Sequence, residues 1–121
     1  MAQPSRDLCI EGRMMLAIIG GSGLSTLEAL HVEHRRMVRT PYGEPSGPLV
    51  FGELGGKKAV FLARHGHGHT IAPHEINYRA NVWALREQAV EGIVSVASVG
   101  GIRADLPPEK LVVPDQILDL S

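Results

Sequence analysis

"LVFGELGGKKAVFLAR", residues 49–64, sets two apolar runs on either side of Gly55-Gly56. A glycine pair between such runs supplies the positive φ that a two-residue turn needs, so the stretch predicts a β-hairpin. The period then changes. From Glu75 onward, Ile76, Ala80, Trp83 and Ala84 recur at i, i+4, i+7 and i+8, the spacing of one helical face, and Gly92 is placed to stop the helix. "GIVSVASV", residues 92–99, reads as a buried strand closed by Gly100-Gly101. Strand, hairpin, helix and strand imply an α/β fold with a mixed β-sheet flanked by helices.

Outward from this centre, "LAIIG" (16–20) is a short apolar run closed by glycine and predicts a buried strand. "LSTLEAL" (24–30) is expected to begin a helical turn, and "HVEHRRMVRT" (31–40) to form a solvent-facing strand. "TPYGEPSGP" (40–48) is loop chemistry, and "LPPEK" (106–110) is a turn. "LVVPDQILDL" (111–120) predicts a strand in which Pro114 requires an edge, a bulge or a kink. Residues 1–15 read as a polar extension, with the fold beginning at Leu16 and running over 16–121. The sequence stops immediately after an apolar run, without a polar cap or closing helix, so a truncated domain is expected.

The chain has 121 residues, enough for one small domain. Twelve Lys plus Arg against 13 Asp plus Glu give a formal net charge of −1, so no global field recruits nucleic acid or an anionic membrane. Cys9 stands alone and forms no internal disulfide, which fits a reducing compartment. No uninterrupted apolar span reaches the ~18 residues of a membrane helix. Arg6, Asp7, Glu11 and Arg13 interrupt the segment where a signal peptide needs an apolar run. A cytoplasmic protein is expected.

Candidate chemistry gathers at strand ends. "IIGGSGLS" closes a strand with Gly20-Gly21, then Ser22 and Gly23, a pattern that lets backbone N–H groups and a hydroxyl meet an anion. It lacks the third glycine of a dinucleotide fingerprint and the Lys of a Walker loop. The same glycines also suit an ordinary tight turn. In "ARHGHGHTIAPHEINYR" (63–79), His65, His67 and His69 alternate, and in a strand they would share a face and hold a metal. Gly66 and Gly68 weaken that geometry, and Arg64 beside a metal is electrostatically unfavourable. Beside a phosphate, the same Arg offers a planar fork and His65 a second donor in either protonation state. Phosphate, metal and solvated loop histidines all remain readings of this stretch. Asn77, Tyr78, Arg79 and Asn81 fit the polar face of an amphipathic helix. "VASVGGIR" ends a strand in small residues, exposing backbone donors at Ser98 and Val99 or making a packing turn. Ligands of open α/β sheets gather at strand ends, so these three ends can form one anion pocket.

"AIIGGSGL", "TPYGEPSGPL", "LARHGHGHTIAPHEINYRANVWAL" and "VGGIR…VVPDQILD" together resemble the N-terminal half of the methylthioadenosine phosphorylase and purine nucleoside phosphorylase family. They are most similar to its bacterial methylthioinosine/methylthioadenosine branch. The resemblance implies a homotrimeric enzyme of purine salvage that splits a purine nucleoside with inorganic phosphate. It implies no metal and no organic cofactor, phosphate being a substrate. On the matching positions, Ser22, Arg64, His65 and Ser98 are implied to bind phosphate. The chain departs from the family pattern at Ala97-Ser98, which removes a side-chain contact at position 97 and places a hydroxyl at position 98. The catalytic acid and the purine-recognising residues are implied to lie in a C-terminal half, so the 121 residues alone are expected to be inactive. The alternatives are a non-catalytic phosphate-binding fragment and a His-based metal-binding module. His67, His69 and His74 receive no role.

Overall fold

The computed structural model describes residues 15–120, so of the expected extension over 1–15 only Met15 lies within it. In chain order come β1 (Leu16–Gly20), β2 (His31–Arg36), β3 (Leu49–Leu54), β4 (Lys57–Ala63), a 3₁₀ turn (Pro73–Glu75), α1 (Tyr78–Arg86) and β5 (Gly92–Ser95). They build one mixed sheet of order β2-β3-β4-β1-β5. Pairing is antiparallel from β2 through β4, and parallel where β1 lies between β4 and β5.

The hairpin forms as the glycine pair requires. Gly55 and Gly56 have φ of 56° and 79°, the left-handed pair of a type I′ turn, and the register closes with Leu54 opposite Lys57. Alternation along the strands then sorts the core onto two faces. Ala17, Ile19, Leu49, Phe51, Val60 and Leu62 meet Ala84 and Leu85 of α1 on one face. Ile18, Ala59 and Phe61 on the other face are covered by Leu30, with Leu24 and Leu27 packed alongside. β2 is exposed along its whole length, as expected. His34 stacks on Phe51 at 4.6 Å, and Lys58 donates to Glu33, whose carboxyl pKa is lowered by that hydrogen bond and by the Lys58 charge.

Five expectations change. Residues 24–30 form turns rather than a helical start, with the Leu30 N–H bonded to the Leu27 carbonyl at 3.0 Å; the segment is shaped to lower Leu30 onto the sheet. The helix begins at Tyr78 because the Asn77 side chain accepts from the Ala80 N–H at 3.1 Å and caps it there. It ends at Arg86, well short of Gly92, which instead opens β5. Ala89 takes the left-handed φ of 55° normally given to glycine after a helix, and the Gln88 and Ala89 N–H groups close onto Leu85 and Arg86.

The strand expected over 92–99 is only Gly92–Ser95, and it is largely exposed. β5 pairs with β1 alone at the edge of the sheet, so residues beyond Ser95 have no second neighbour to hold them extended. Residues 111–120 form no strand: no strand among the described residues runs beside them, and Pro114 lacks a donor.

Ala89→Gly should relieve the left-handed strain and raise stability by about 0.5–1 kcal/mol. This would appear as a higher urea midpoint at unchanged slope; an unchanged or lower midpoint would contradict the strain.

Candidate anion site at the parallel strand ends

Register places the site. In the parallel ladders Gly20 lies beside Ala63 and Ile19 beside Ser95, so β1, β4 and β5 end at the same edge of the sheet. The residues that leave those ends are Gly21, Arg64 and Val96. Two further bonds carry the ladders past the strands: Arg64 N–H to the Gly20 carbonyl and Val96 N–H to the Ile19 carbonyl, each at 2.9 Å. Three of the sequence features therefore converge at one edge.

After β1 the chain makes a four-residue turn, with the Leu24 N–H bonded to the Gly21 carbonyl at 3.0 Å and Gly23 at φ 81°. Ser22 sits at its tip, exposed. The Arg64 guanidinium lies against this turn. A Cβ on Gly21 would come within 2.1 Å of Arg64 Nη2, so glycine is what admits the side chain. Gly20 is required by packing, since its Cβ would meet the Leu24 carbonyl oxygen at 2.1 Å. Arg64 Nη1 reaches Ser95 Oγ and the Val96 carbonyl only at 3.4 Å, both long contacts. Arg64 is half-buried, and among the described residues no carboxylate pairs with it. Ser98 closes the third side by donating its hydroxyl to the Ser22 carbonyl at 2.9 Å.

His65 is buried and faces its own loop. Its Nδ1 bonds the Ile71 carbonyl at 2.9 Å, and its ring lies 4.5 Å from that of His69. A carbonyl only accepts, so Nδ1 carries the proton of the neutral ring, and Nε2 donates only when the ring is charged. The expectation that His65 donates to a ligand in either protonation state is corrected accordingly. The metal reading loses its premise, because residues 64–69 are not a strand. Gly66, Gly68 and His69 all have left-handed φ, of 79°, 82° and 57°, so the alternating histidines do not share a face. Among the described residues no three His, Cys, Asp or Glu side chains gather as a set of metal ligands.

The helix polar residues divide. Tyr78 and Arg79 are exposed, as a solvated face predicts. Asn81 is 2 % exposed: it accepts from the Ser46 N–H at 2.8 Å and donates to Ser46 Oγ at 3.0 Å. Asn77 donates to the Tyr42 carbonyl at 2.7 Å. Both fasten the 40–48 loop to α1, which a helical-wheel reading misses because their partners lie in a loop remote in sequence. Ser95 and Ile71 were likewise missed; only the register of β5 against β1 would have pointed to Ser95. A cavity of about 100 Å³ beside the site is lined by Ser25, Thr26, Leu30, Phe61 and His67 among others. A larger concavity, about 660 Å³, lies at the opposite strand ends around Leu16, Lys57 and Glu91, away from Arg64.

The family model described as "Phosphorylase superfamily" matches residues 15–121. The S-methyl-5'-thioadenosine phosphorylase of Hyperthermus butylicus is 51% identical over 106 residues, 88% of this chain and 39% of that protein. A probable S-methyl-5'-thioinosine phosphorylase of Pseudomonas syringae pv. tomato is 46% identical over 87% of this chain and 43% of its own length. A solved structure of a double mutant of adenosine/methylthioadenosine phosphorylase from Schistosoma mansoni, in complex with adenine, superposes with a TM-score of 0.75 at 42% identity. That match covers 79% of this chain and 34% of the other. The chain thus spans about two fifths of the length of the curated relatives it matches.

Gly21→Ala tests the placement of Arg64. Gly21 has no left-handed φ, so alanine is opposed by space alone. The added methyl should displace the guanidinium and shift the Arg64 Nε–H resonance in NMR spectra; an unmoved resonance would contradict the close approach.

Proposed function

Because this chain belongs to the phosphorylase superfamily, we propose that its three parallel strand ends bind inorganic phosphate for the phosphorolysis of a purine nucleoside. The observation that carries the reading is the half-buried Arg64 guanidinium, laid against a glycine turn without a carboxylate partner among the described residues. A fixed planar cation with free donors matches paired phosphate oxygens, and the low local dielectric strengthens the attraction. The Ser22 hydroxyl at the tip of the turn, the backbone N–H of Ser98 and the charged form of His65 are the further donors we assign to the anion.

The relatives support methylthioadenosine or methylthioinosine as the substrate we propose, released as free purine and methylthioribose 1-phosphate, in purine and methylthionucleoside salvage. Breaking the N-glycosidic bond builds positive charge on the sugar. A phosphate held beneath the ring stabilises that charge and then forms the new C–O bond at the anomeric carbon, while the bonding electrons leave with the purine. Arg64 serves by fixing the nucleophile in place, a positional effect that needs neither metal nor organic cofactor. The residues that recognise and protonate the purine are assigned to the part of the relatives this chain does not match. We therefore propose that the 121 residues bind phosphate without turnover, and that the complete enzyme is a cytoplasmic homotrimer. No helix among the described residues is long and apolar enough to cross a membrane.

A chimera tests the activity. Residues 16–121 replace the matching part of the Hyperthermus butylicus relative, and purine release from methylthioadenosine is measured with and without phosphate. Cleavage should require phosphate and fall by ~10²–10³-fold in the Arg64→Ala chimera, as when one preorganised charge-stabilising group is removed. Equal cleavage without phosphate would overturn the phosphorylase reading. Phosphate binding without any cleavage would favour a non-catalytic binding role.

A further inference from the structure

We propose that the Ser98 hydroxyl is a positioning group that sets the orientation of one peptide in the glycine turn. This deepens the phosphate-site reading and rests on it for its functional consequence. The turn from Gly21 to Leu24 is closed by the Leu24 N–H on the Gly21 carbonyl, which leaves the central peptide, Ser22 C=O to Gly23 N–H, outside that bond. Flipping such a central peptide interconverts the two commonest turn types, and a glycine at the third position permits both. Gly23 occupies that position with φ 81°. The turn therefore has two accessible forms, and its own closing bond does not choose between them.

Ser98 chooses. Its Oγ donates to the Ser22 carbonyl at 2.9 Å, joining the chain beyond β5 to the chain beyond β1. In a trans peptide the C=O and N–H point in opposite directions, so pinning the Ser22 carbonyl also fixes the direction of the Gly23 N–H. For an anion site this decides the sign of the partial charge presented: a flipped peptide exchanges donor for carbonyl oxygen, and a carbonyl repels phosphate. The bond also occupies the carbonyl's negative end with a donor. Space is not the constraint, since a Cβ on Gly23 would still stand 3.8 Å from Ser98 Oγ. Ser98 is thus assigned two separate parts, a backbone N–H for the anion and a side chain for the turn.

The test uses the full 121-residue chain, its Ser98→Ala and Ser98→Thr variants, and inorganic phosphate as the probe. Without phosphate, Ser98→Ala should shift or broaden the Gly23 amide resonance, and Ser98→Thr should restore it. Melting temperature should stay the same, because both ends of the lost bond are exposed to water. With phosphate, Ser98→Ala should bind about fivefold more weakly, the worth of one neutral hydrogen bond, and Ser98→Thr should bind like the wild type. A Gly23 amide identical in all three chains would overturn the latch, as would equal phosphate affinity in the wild type and Ser98→Ala. If the wild type shows no phosphate response at all, the phosphate reading fails, and the Gly23 amide alone decides whether the latch exists.

Discussion

The parallel ladders of β1, with β4 on one side and β5 on the other, are the constraint on which the rest depends. Backbone hydrogen bonding fixes relative register, so Gly20, Ala63 and Ser95 end their strands together and Gly21, Arg64 and Val96 emerge at one edge. A one-residue slip of β4 would turn Val60 and Leu62 away from α1 and move Arg64 from the glycine turn. Core and site are thus enforced by the same pairing. Val60 and Leu62 are fully buried, so the apolar face of β4 defends the position of the arginine that follows it.

The edge has a consistent electrostatic character. Among the described residues Arg64 has only weak neutral contacts, at 3.4 Å, and a half-buried cation so placed favours an anion arriving from solvent. Glycine makes the arrangement possible through space at Gly21 and through conformation at Gly23. The surrounding loops are tied down by polar side chains reaching backbone: Asn81 and Asn77 hold the 40–48 loop, and His65 holds its own loop through Ile71. A site assembled from loops gains its precision from such ties.

What was legible in the sequence followed locality. The Gly55-Gly56 hairpin and the apolar face of α1 are short-range patterns, and both formed. The place of Arg64 at the end of a strand was also legible, because the apolar run before it stops there. The histidine alternation misled because a period of two signals a strand only when the backbone is extended, and left-handed residues at Gly66, Gly68 and His69 break it. The helix stop at Gly92 failed because Ala89 accepted a strained conformation instead. β5 was read too long because apolar composition does not reveal whether a strand has one neighbour or two. The Ser98 bond to Ser22 joins residues near opposite ends of the chain, and no local pattern announces it.

The central claim is that three strand ends make one anion site. It is tested most directly by locating an anion in crystals of the chain grown with arsenate, a phosphate mimic whose arsenic is visible by anomalous scattering. An arsenic peak is expected within hydrogen-bonding reach of the Arg64 guanidinium, between the 21–24 turn and residues 96–98, and should be lost in Arg64→Ala. An arsenic peak bound elsewhere, or one at this edge that persists in Arg64→Ala, would contradict it.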